Sequence, residues 1–349
     1  MQIDSPARCD LQVLMDERSL EIAHHDLGGD LISALSQADP FVPSIYCYDD
    51  RGSALFEERC QQPEYYLRRV ELSLLEAKLP EIADLTGPVD LVELGCGNSI
   101  KTIPIVEAYS QTFGRSDPRF EIVYSPIDVN RQALEEGVQF LLNRCSKLRV
   151  RGFVSNYEDA LGRLSADGAC RARMFLFLGS TIGNLDDPAL DELLRCFRDC
   201  LKPGDFLLLG ADLLKDPEVL ALAYDDAAGV GRAMEINALI HINRLFDGDF
   251  APELFRYEAR FEPAQERVAA RLYSLRNQEV TLRRLDFVLK LQAGDTLRIG
   301  NMRKFRVSDL TERFARFELG QKCHWTDEDD WYALLLFQKQ SGQPANNRA

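Results

Sequence analysis

In the stretch Leu91-Val92-Glu93-Leu94-Gly95-Cys96-Gly97-Asn98-Ser99 an apolar run ends on an acid and opens into a Gly-x-Gly loop. A parallel strand ends in this way where backbone has to pass close to a ligand. A second acid follows in Ile122-Val123-Tyr124-Ser125-Pro126-Ile127-Asp128, and the gap between the two holds one helix and one strand, as a βαβ unit requires. A carboxylate at the end of the second strand suits a ribose with two free hydroxyls. Position 100 is Ile, so the G-x-G-x-x-G spacing that cradles a pyrophosphate is absent. The loop therefore favours a nucleoside ligand without a pyrophosphate, of which S-adenosylmethionine (SAM) is the commonest.

Outward from this point the chain alternates strand, helix, strand, helix over 89–95, 99–112, 120–128 and 130–145, with further strands at 147–154 and 173–179. An amphipathic helix from Asp187 to Leu201 stops at Lys202-Pro203-Gly204-Asp205, and the apolar strand Phe206–Gly210 follows at once. This is the pattern of a doubly wound, Rossmann-like α/β sheet. Upstream, the spacing predicts helices over 19–39, 53–61 and 70–85. Downstream, 215–304 breaks the alternation with helices at 217–226 and 231–243 and alternating runs, Val268 to Leu275 and Glu279 to Leu289, that read as a strand meander. A final helix (308–317) and strand (332–339) return to the core. The expected division is a nucleotide-binding domain of 70–214 and 305–341, an α+β cap of 1–69 and 215–304, and a disordered tail of 342–349.

The chain has 349 residues and a formal net charge of −15, which disfavours nucleic acid and other polyanions as partners. A cationic ligand such as SAM meets no long-range repulsion. Apolar runs such as Met174–Leu178 and Ala333–Phe337 are strand-length and too short to span a bilayer, and the first residues lack a basic segment followed by an apolar core. The nine cysteines are odd in number and lack a CxxC pair, which reads as reduced thiols in a cytoplasm. His24, His25, His241 and His324 are not at metal-ligand spacing, so no metal centre is expected. A cytoplasmic monomer acting on a small molecule, away from membranes and nucleic acid, is the expectation.

Five ordered motifs carry a resemblance. They are Tyr48-Asp49-x-x-Gly52-Ser53-x-Leu55-Phe56, Pro63-Glu64-Tyr65-Tyr66, Glu93-Leu94-Gly95-x-Gly97-x-Ser99-x-Lys101-Thr102, the unbroken run Phe177 to Leu185, and Ala223 to Val230. Over nearly its whole length the chain resembles the histidine-specific Nα-methyltransferases of ergothioneine biosynthesis. The resemblance implies a class I SAM-dependent methyltransferase core, a second α+β substrate-binding domain, SAM as cofactor with S-adenosylhomocysteine (SAH) as product, and an amino-acid substrate held between the two. It implies repeated transfer up to the trimethyl betaine. Carried over by motif, Gly95, Lys101 and Asp128 contact SAM, with Lys101 meeting the methionyl carboxylate. Asn156 and Tyr157 flank the adenine, although the family has Asp where this chain has Asn156. Asn184 anchors the substrate's α-amino and carboxylate groups, Tyr224 donates to the carboxylate, and Tyr65 lines the pocket by the amine, with Tyr48 a lesser candidate there. Asn184, Tyr224 and Tyr65 are thus the expected catalytic set.

The departures bear on specificity. The family's imidazole-reading motif carries a Glu and, two residues on, a Ser just before a Lys-Phe pair. Here the stretch reads Ile299-Gly300-Asn301-Met302-Arg303-Lys304-Phe305, and Ala270 stands where the family has a Met. With Gly300, Met302 and Ala270 the side-chain pocket is expected to be larger and less polar, and the discrimination that a buried hydrogen bond gives is lost. The expected activity is Nα-methylation of an amino acid other than histidine, with an aromatic or large apolar side chain. A histidine methyltransferase with altered ring contacts and a non-catalytic SAM-binding protein remain the alternatives. Plainer roles stand beside these: Lys101 as a helix-surface residue, Asn184 as the cap of the helix entered at 186–188, Tyr65 and Tyr224 as core aromatics, and Asp225 and Asp226 as caps.

Overall fold

The computed structural model describes residues 9–13, 28–166 and 171–340. The expectations for the N-terminal segment, His24, His25, the first part of the 19–39 helix and the tail from Gly342 lie outside the described residues; within them α1 covers 28–35. The central sheet has eight strands: β1 (Cys9–Val13), β3 (Asp90–Leu94), β4 (Ile122–Asp128), β5 (Leu148–Val154), β6 (Arg173–Phe177), β7 (Phe206–Asp212), β13 (Leu319–Thr326) and β14 (Tyr332–Lys339). Their order is β1-β5-β4-β3-β6-β7-β14-β13. All neighbours from β1 to β7 run parallel, while β14 is antiparallel to both β7 and β13.

Buried parallel strands need apolar side chains on both faces, and these supply them. Along β6 and β14 alternate residues enter different cores: Met174, Leu176, Tyr332, Leu334 and Leu336 on one face, Phe175, Phe177, Ala333, Leu335 and Phe337 on the other. The first core is closed by α3 (Leu67–Thr86), α4 (Thr102–Ser116) and α5 (Arg131–Arg144), the second by α6 (Tyr157–Ser165), α7 (Asp187–Cys200) and α10 (Val307–Ala315). The sheet is therefore doubly wound, as the alternation predicts. The strand order reverses at β3, and its neighbours β4 and β6 leave a crevice at the carboxyl ends where ligands of such sheets bind.

The cap is a second layer with its own core. It contains α2 (Asp50–Arg59), α8 (Pro217–Leu222), α9 (Val230–Phe246) and a four-stranded sheet of β2 (Phe41–Val42), β12 (Thr296–Arg303), β9 (Arg267–Ser274) and β8 (Phe255–Glu262) in that order. Two expectations need correction. Residues 9–13 were assigned to the cap with the rest of 1–69, but β1 pairs with β5 at the edge of the central sheet. The run Glu279 to Leu289 is not one strand of a meander. A 3-10 turn over Arg283–Leu285, with Asp286 at φ +48°, folds it into a hairpin of β10 (Gln278–Leu282) and β11 (Phe287–Leu291), separate from β9. The chain leaves and re-enters the central domain at adjacent points: Phe305 donates its N–H to the Asp212 carbonyl and Leu214 donates to the Phe305 carbonyl.

Candidate active site

The glycine loop follows β3. Gly95 has φ +71°, and a Cβ there would stand 2.8 Å from the Tyr157 hydroxyl, so backbone freedom and space both call for glycine. The first acid, Glu93, does not face this space. It is buried, and accepts from Thr102 Oγ1 at 2.5 Å and Tyr124 Oη at 2.6 Å, which ties the loop to α4 and β4. The second acid, Asp128, ends β4 and accepts from the Gly97 N–H at 3.0 Å and the Asn130 N–H at 2.9 Å. Burial raises its carboxyl above the usual range, opposed by those two N–H groups and that of Val129. Each carboxylate oxygen keeps a lone pair for a hydroxyl donor. The hydroxyls of Ser155, just after β5, and of Ser99, in the glycine loop against Gly137 of α5, are buried with no partner among the described residues. A glycine cradle, an acceptor at the end of β4 and unpartnered buried hydroxyls fit a nucleoside cofactor of the SAM type.

Lys101 is not a helix-surface lysine. It precedes α4 with its side chain 19% exposed, and its ammonium lies 3.2 Å from Glu71, a buried acid of α3 that also accepts from the Gly179 N–H and the Tyr332 hydroxyl. Asn156 has a task beyond the one expected. Its amide oxygen accepts from the Asp159 N–H at 2.8 Å and its nitrogen donates to Asp159, so the side chain caps α6. Tyr157 is packed edge-on against Phe177, beside Gly95, as an aromatic wall.

The other half of the site lies where β12 meets the loop after β6. Asn184 ends the 3-10 turn Thr181–Asn184. It does not cap α7; Asp186 does, accepting from the Ala189 N–H. No described residue bonds to the Asn184 side chain. A Cβ on Gly183 would stand 2.8 Å from the Arg303 carbonyl, so this turn presses on the end of β12. The next residue, Lys304, donates to Tyr224 Oη at 2.9 Å. Tyr65 meets Tyr224 edge-on at 6.1 Å, and the Arg59 guanidinium lies over both rings, held by Glu235. Tyr48 joins through Phe56, which packs edge-on against Tyr48 and Tyr65. The turn that carries Asn184 and the Tyr224 hydroxyl thus both meet the end of β12, and Tyr65 packs against Tyr224. Burial pushes the Tyr65, Tyr157 and Tyr224 phenols well above their usual range. Asp226 caps α9, accepting from the Val230 and Gly231 N–H groups.

Ala270 is buried on β9, opposite Ile299 of β12 and Ala259 of β8. By strand alternation it shares the inward face with Val268, which stands opposite Met302. Gly300 sits in a bulge of β12 at φ +71°. Ala270 and Met302 belong to the cap's core, as Tyr224 does, and Gly300 is buried two residues before Met302.

The residues that sequence reasoning missed form the support of this corner. Asp212, at the end of β7, accepts from the Tyr66 hydroxyl and is paired with Lys304 and Lys215. Burial holds the Lys215 ammonium down to about 8, against the pull of Asp212, and lowers Lys304 in the same way. Asp212 follows the strand-end rule that marks Glu93 and Asp128, and that rule applied a third time finds it.

The profile of a family described as "Histidine-specific methyltransferase, SAM-dependent" matches residues 27–339. The chain is 33% identical over 319 residues to a histidine N-alpha-methyltransferase of Mycobacterium tuberculosis, covering 91% of this chain and 97% of that protein. It is 25% identical over 321 residues to the N-methyltransferase imqF of Aspergillus flavus, covering 90% and 85%. To ergothioneine biosynthesis protein 1 of Schizosaccharomyces pombe it is 31% identical over 214 residues, 59% of this chain and 27% of that protein.

Proposed function

Because the chain belongs to the family of histidine-specific, SAM-dependent methyltransferases, we propose that this N-methyltransferase acts on the α-amino group of a free amino acid whose side chain is not that of histidine. The observation that carries the reading is the corner at the end of β12, where the turn ending in Asn184, whose side chain bonds to no described residue, and the Tyr224 hydroxyl meet the strand that holds Gly300 and Met302. Asn184 offers both a donor and an acceptor to an amino-acid head group. The side-chain end of the same strand offers a bulged glycine and a thioether, neither of which pairs with an imidazole N–H. The relative named for histidine favours the second reading, that histidine is recognised by other contacts. Family membership leaves the non-catalytic alternative without support.

Bound SAM supplies a methyl group on a sulfonium, ready for in-line displacement by a neutral amine. Gly95, Tyr157, Asp128 and Lys101 hold it in this reading: Gly95 by close backbone approach, Tyr157 as a wall, Asp128 on the ribose, Lys101 on the methionyl carboxylate. Asn184 and Tyr224 fix the head group and Tyr65 orients the amine. The phenols of Tyr65 and Tyr224 stay protonated, because burial opposes phenolate. They act as donors and not as the base that takes the ammonium proton, which leaves to water before the site closes. Positioning and exclusion of water then supply most of the effect.

The test is calorimetric titration of an amino-acid panel into the SAH-bound protein, followed by turnover with mass spectrometry to count methyl groups. Tryptophan or tyrosine is expected to bind and react ahead of histidine, and Asn184→Ala to abolish turnover while SAH affinity stays close to wild type. Histidine turned over at least as well as every other amino acid would overturn the side-chain reading.

A further inference from the structure

Two ammonium groups and a phenol converge on the one carboxylate of Asp212. Lys304 Nζ is 2.7 Å from Oδ2, Lys215 Nζ is 2.5 Å from Oδ1, and Tyr66 Oη is 2.8 Å from Oδ1. The side chains of Lys304, Lys215 and Asp212 are 1%, 5% and 0% exposed. Two buried cations facing one anion leave positive charge uncompensated, and uncompensated charge is costly away from water. No other carboxylate among the described residues forms an ion pair with either lysine. Asp327 acts on Lys215 only at longer range, and the neighbouring Arg59 is matched by Glu235. The cluster is one anion short.

The hydrogen-bond directions show where that anion belongs. An ammonium only donates, so Lys304 Nζ makes the Tyr224 oxygen its acceptor at 2.9 Å. The Tyr224 proton must then point elsewhere, and no described residue accepts it. The 3-10 turn that ends in Asn184, whose side chain bonds to no described residue, presses on the same strand end through Gly183. A carboxylate between that turn and Tyr224 would take the Tyr224 proton and lie over the positive cluster.

We propose that Lys304 is a positioning residue: through Tyr224, and with the charge of the Lys304–Asp212–Lys215 cluster, it sets how strongly an α-carboxylate is preferred over the corresponding amide. The inference rests on the reading of the Asn184–Tyr224 corner as the head-group site. Its new content is the part played by Lys304, separate from the identity of the side chain.

The experiment titrates L-tryptophan, L-tyrosine and L-histidine and their α-carboxamides into SAH-bound wild type, Lys304→Met and Lys304→Arg, with SAH affinity measured alongside. Lys304→Met leaves Asp212 paired with Lys215 and Tyr66, so no charge is orphaned. Wild type is expected to bind at least one amino acid about 30-fold more tightly than its carboxamide, the scale of one charge-assisted hydrogen bond. Lys304→Met should lose that preference by weakening the acid alone, with SAH affinity unchanged, and Lys304→Arg should recover part of it. Equal loss for acid and carboxamide, or no loss for either, overturns the proposal, as does a wild type that binds both alike. A wild type that binds no amino acid overturns the head-group reading itself, before any variant is compared. If Lys304→Met does not fold, Tyr224→Phe carries the same comparison with Lys304 in place, and a loss that ignores the carboxylate overturns the proposal there too.

Discussion

Asp128 accepts from two backbone N–H groups in a space that burial makes unfavourable for its charge. A carboxylate kept in such a place gains most from further donors, and ribose hydroxyls are the donors its strand end faces in the proposed site. Asp128→Ala is expected to weaken SAM binding by about 2–3 kcal/mol, the contribution of charge-assisted acceptors. Calorimetry on the folded variant checks this, and unchanged affinity would remove Asp128 from the cofactor site. Asp128 and Gly95 were legible in the sequence because an acid or a glycine at the end of a strand has a local cause. Asn184 was legible only through its motif, and its plainer role fell once Asp186 proved to be the cap. Lys304 was not legible. Its meaning comes from Asp212 and Tyr224, which reach it from the other side of the cap insertion, and no spacing along the chain encodes that meeting. Asn156 was read only as a ligand contact, and the cap it forms went unread because both ask for the same side chain.

The elements show the same split. Strands buried on both faces, such as β6 and β7, were read as continuous apolar runs because their burial demands it. Leu319–Thr326 escaped notice. As an edge strand with one neighbour it keeps a mixed polar sequence, and a bulge between Gln321 and Cys323 breaks any alternation. The run Phe255–Glu262 also escaped notice, although it alternates strictly between apolar and polar residues. The bulge in β12 has an energetic signature of its own. Gly300 has a left-handed φ with only the Met302 sulfur near its missing Cβ, at 3.5 Å, so strain and not crowding opposes a side chain there. Gly300→Ala is expected to lower stability by about 1–2 kcal/mol, the cost of placing an L residue in that region. Urea unfolding reads it, and a variant as stable as wild type would show that the bulge does not need glycine. Gly300→Glu bears the same strain, so a switch toward histidine built on it must be compared at equal folded fraction.

At the scale of the whole molecule, the central domain is locked by a buried ion pair far from the site. Arg173, at the start of β6, holds Asp205 through two nitrogens and donates to the carbonyls of Leu164 and Cys200, which ties the last turns of α6 and α7 to the sheet. Arg173→Met leaves Asp205 as a buried, partly unpaired charge and should cost about 3–5 kcal/mol. Thermal and urea unfolding check it; a loss below about 1 kcal/mol, the range of exposed pairs, would mean that Asp205 finds other partners. The overall plan of core and cap was legible in the order of elements, because helix and strand periods alternate up to β7 and then stop alternating. The place of β1 was not, since pairing at a sheet edge leaves no local mark. One consequence concerns synthesis. β14 lies between β7 and β13 in the finished sheet, yet the ribosome makes it after every other described strand. Until Tyr332–Lys339 has emerged, β7 is an open edge with a row of unsatisfied N–H and C=O groups, the kind of surface that recruits a second chain. A nascent chain arrested short of Tyr332 carries the whole glycine loop and the acids at the ends of β3 and β4, but an unfinished sheet.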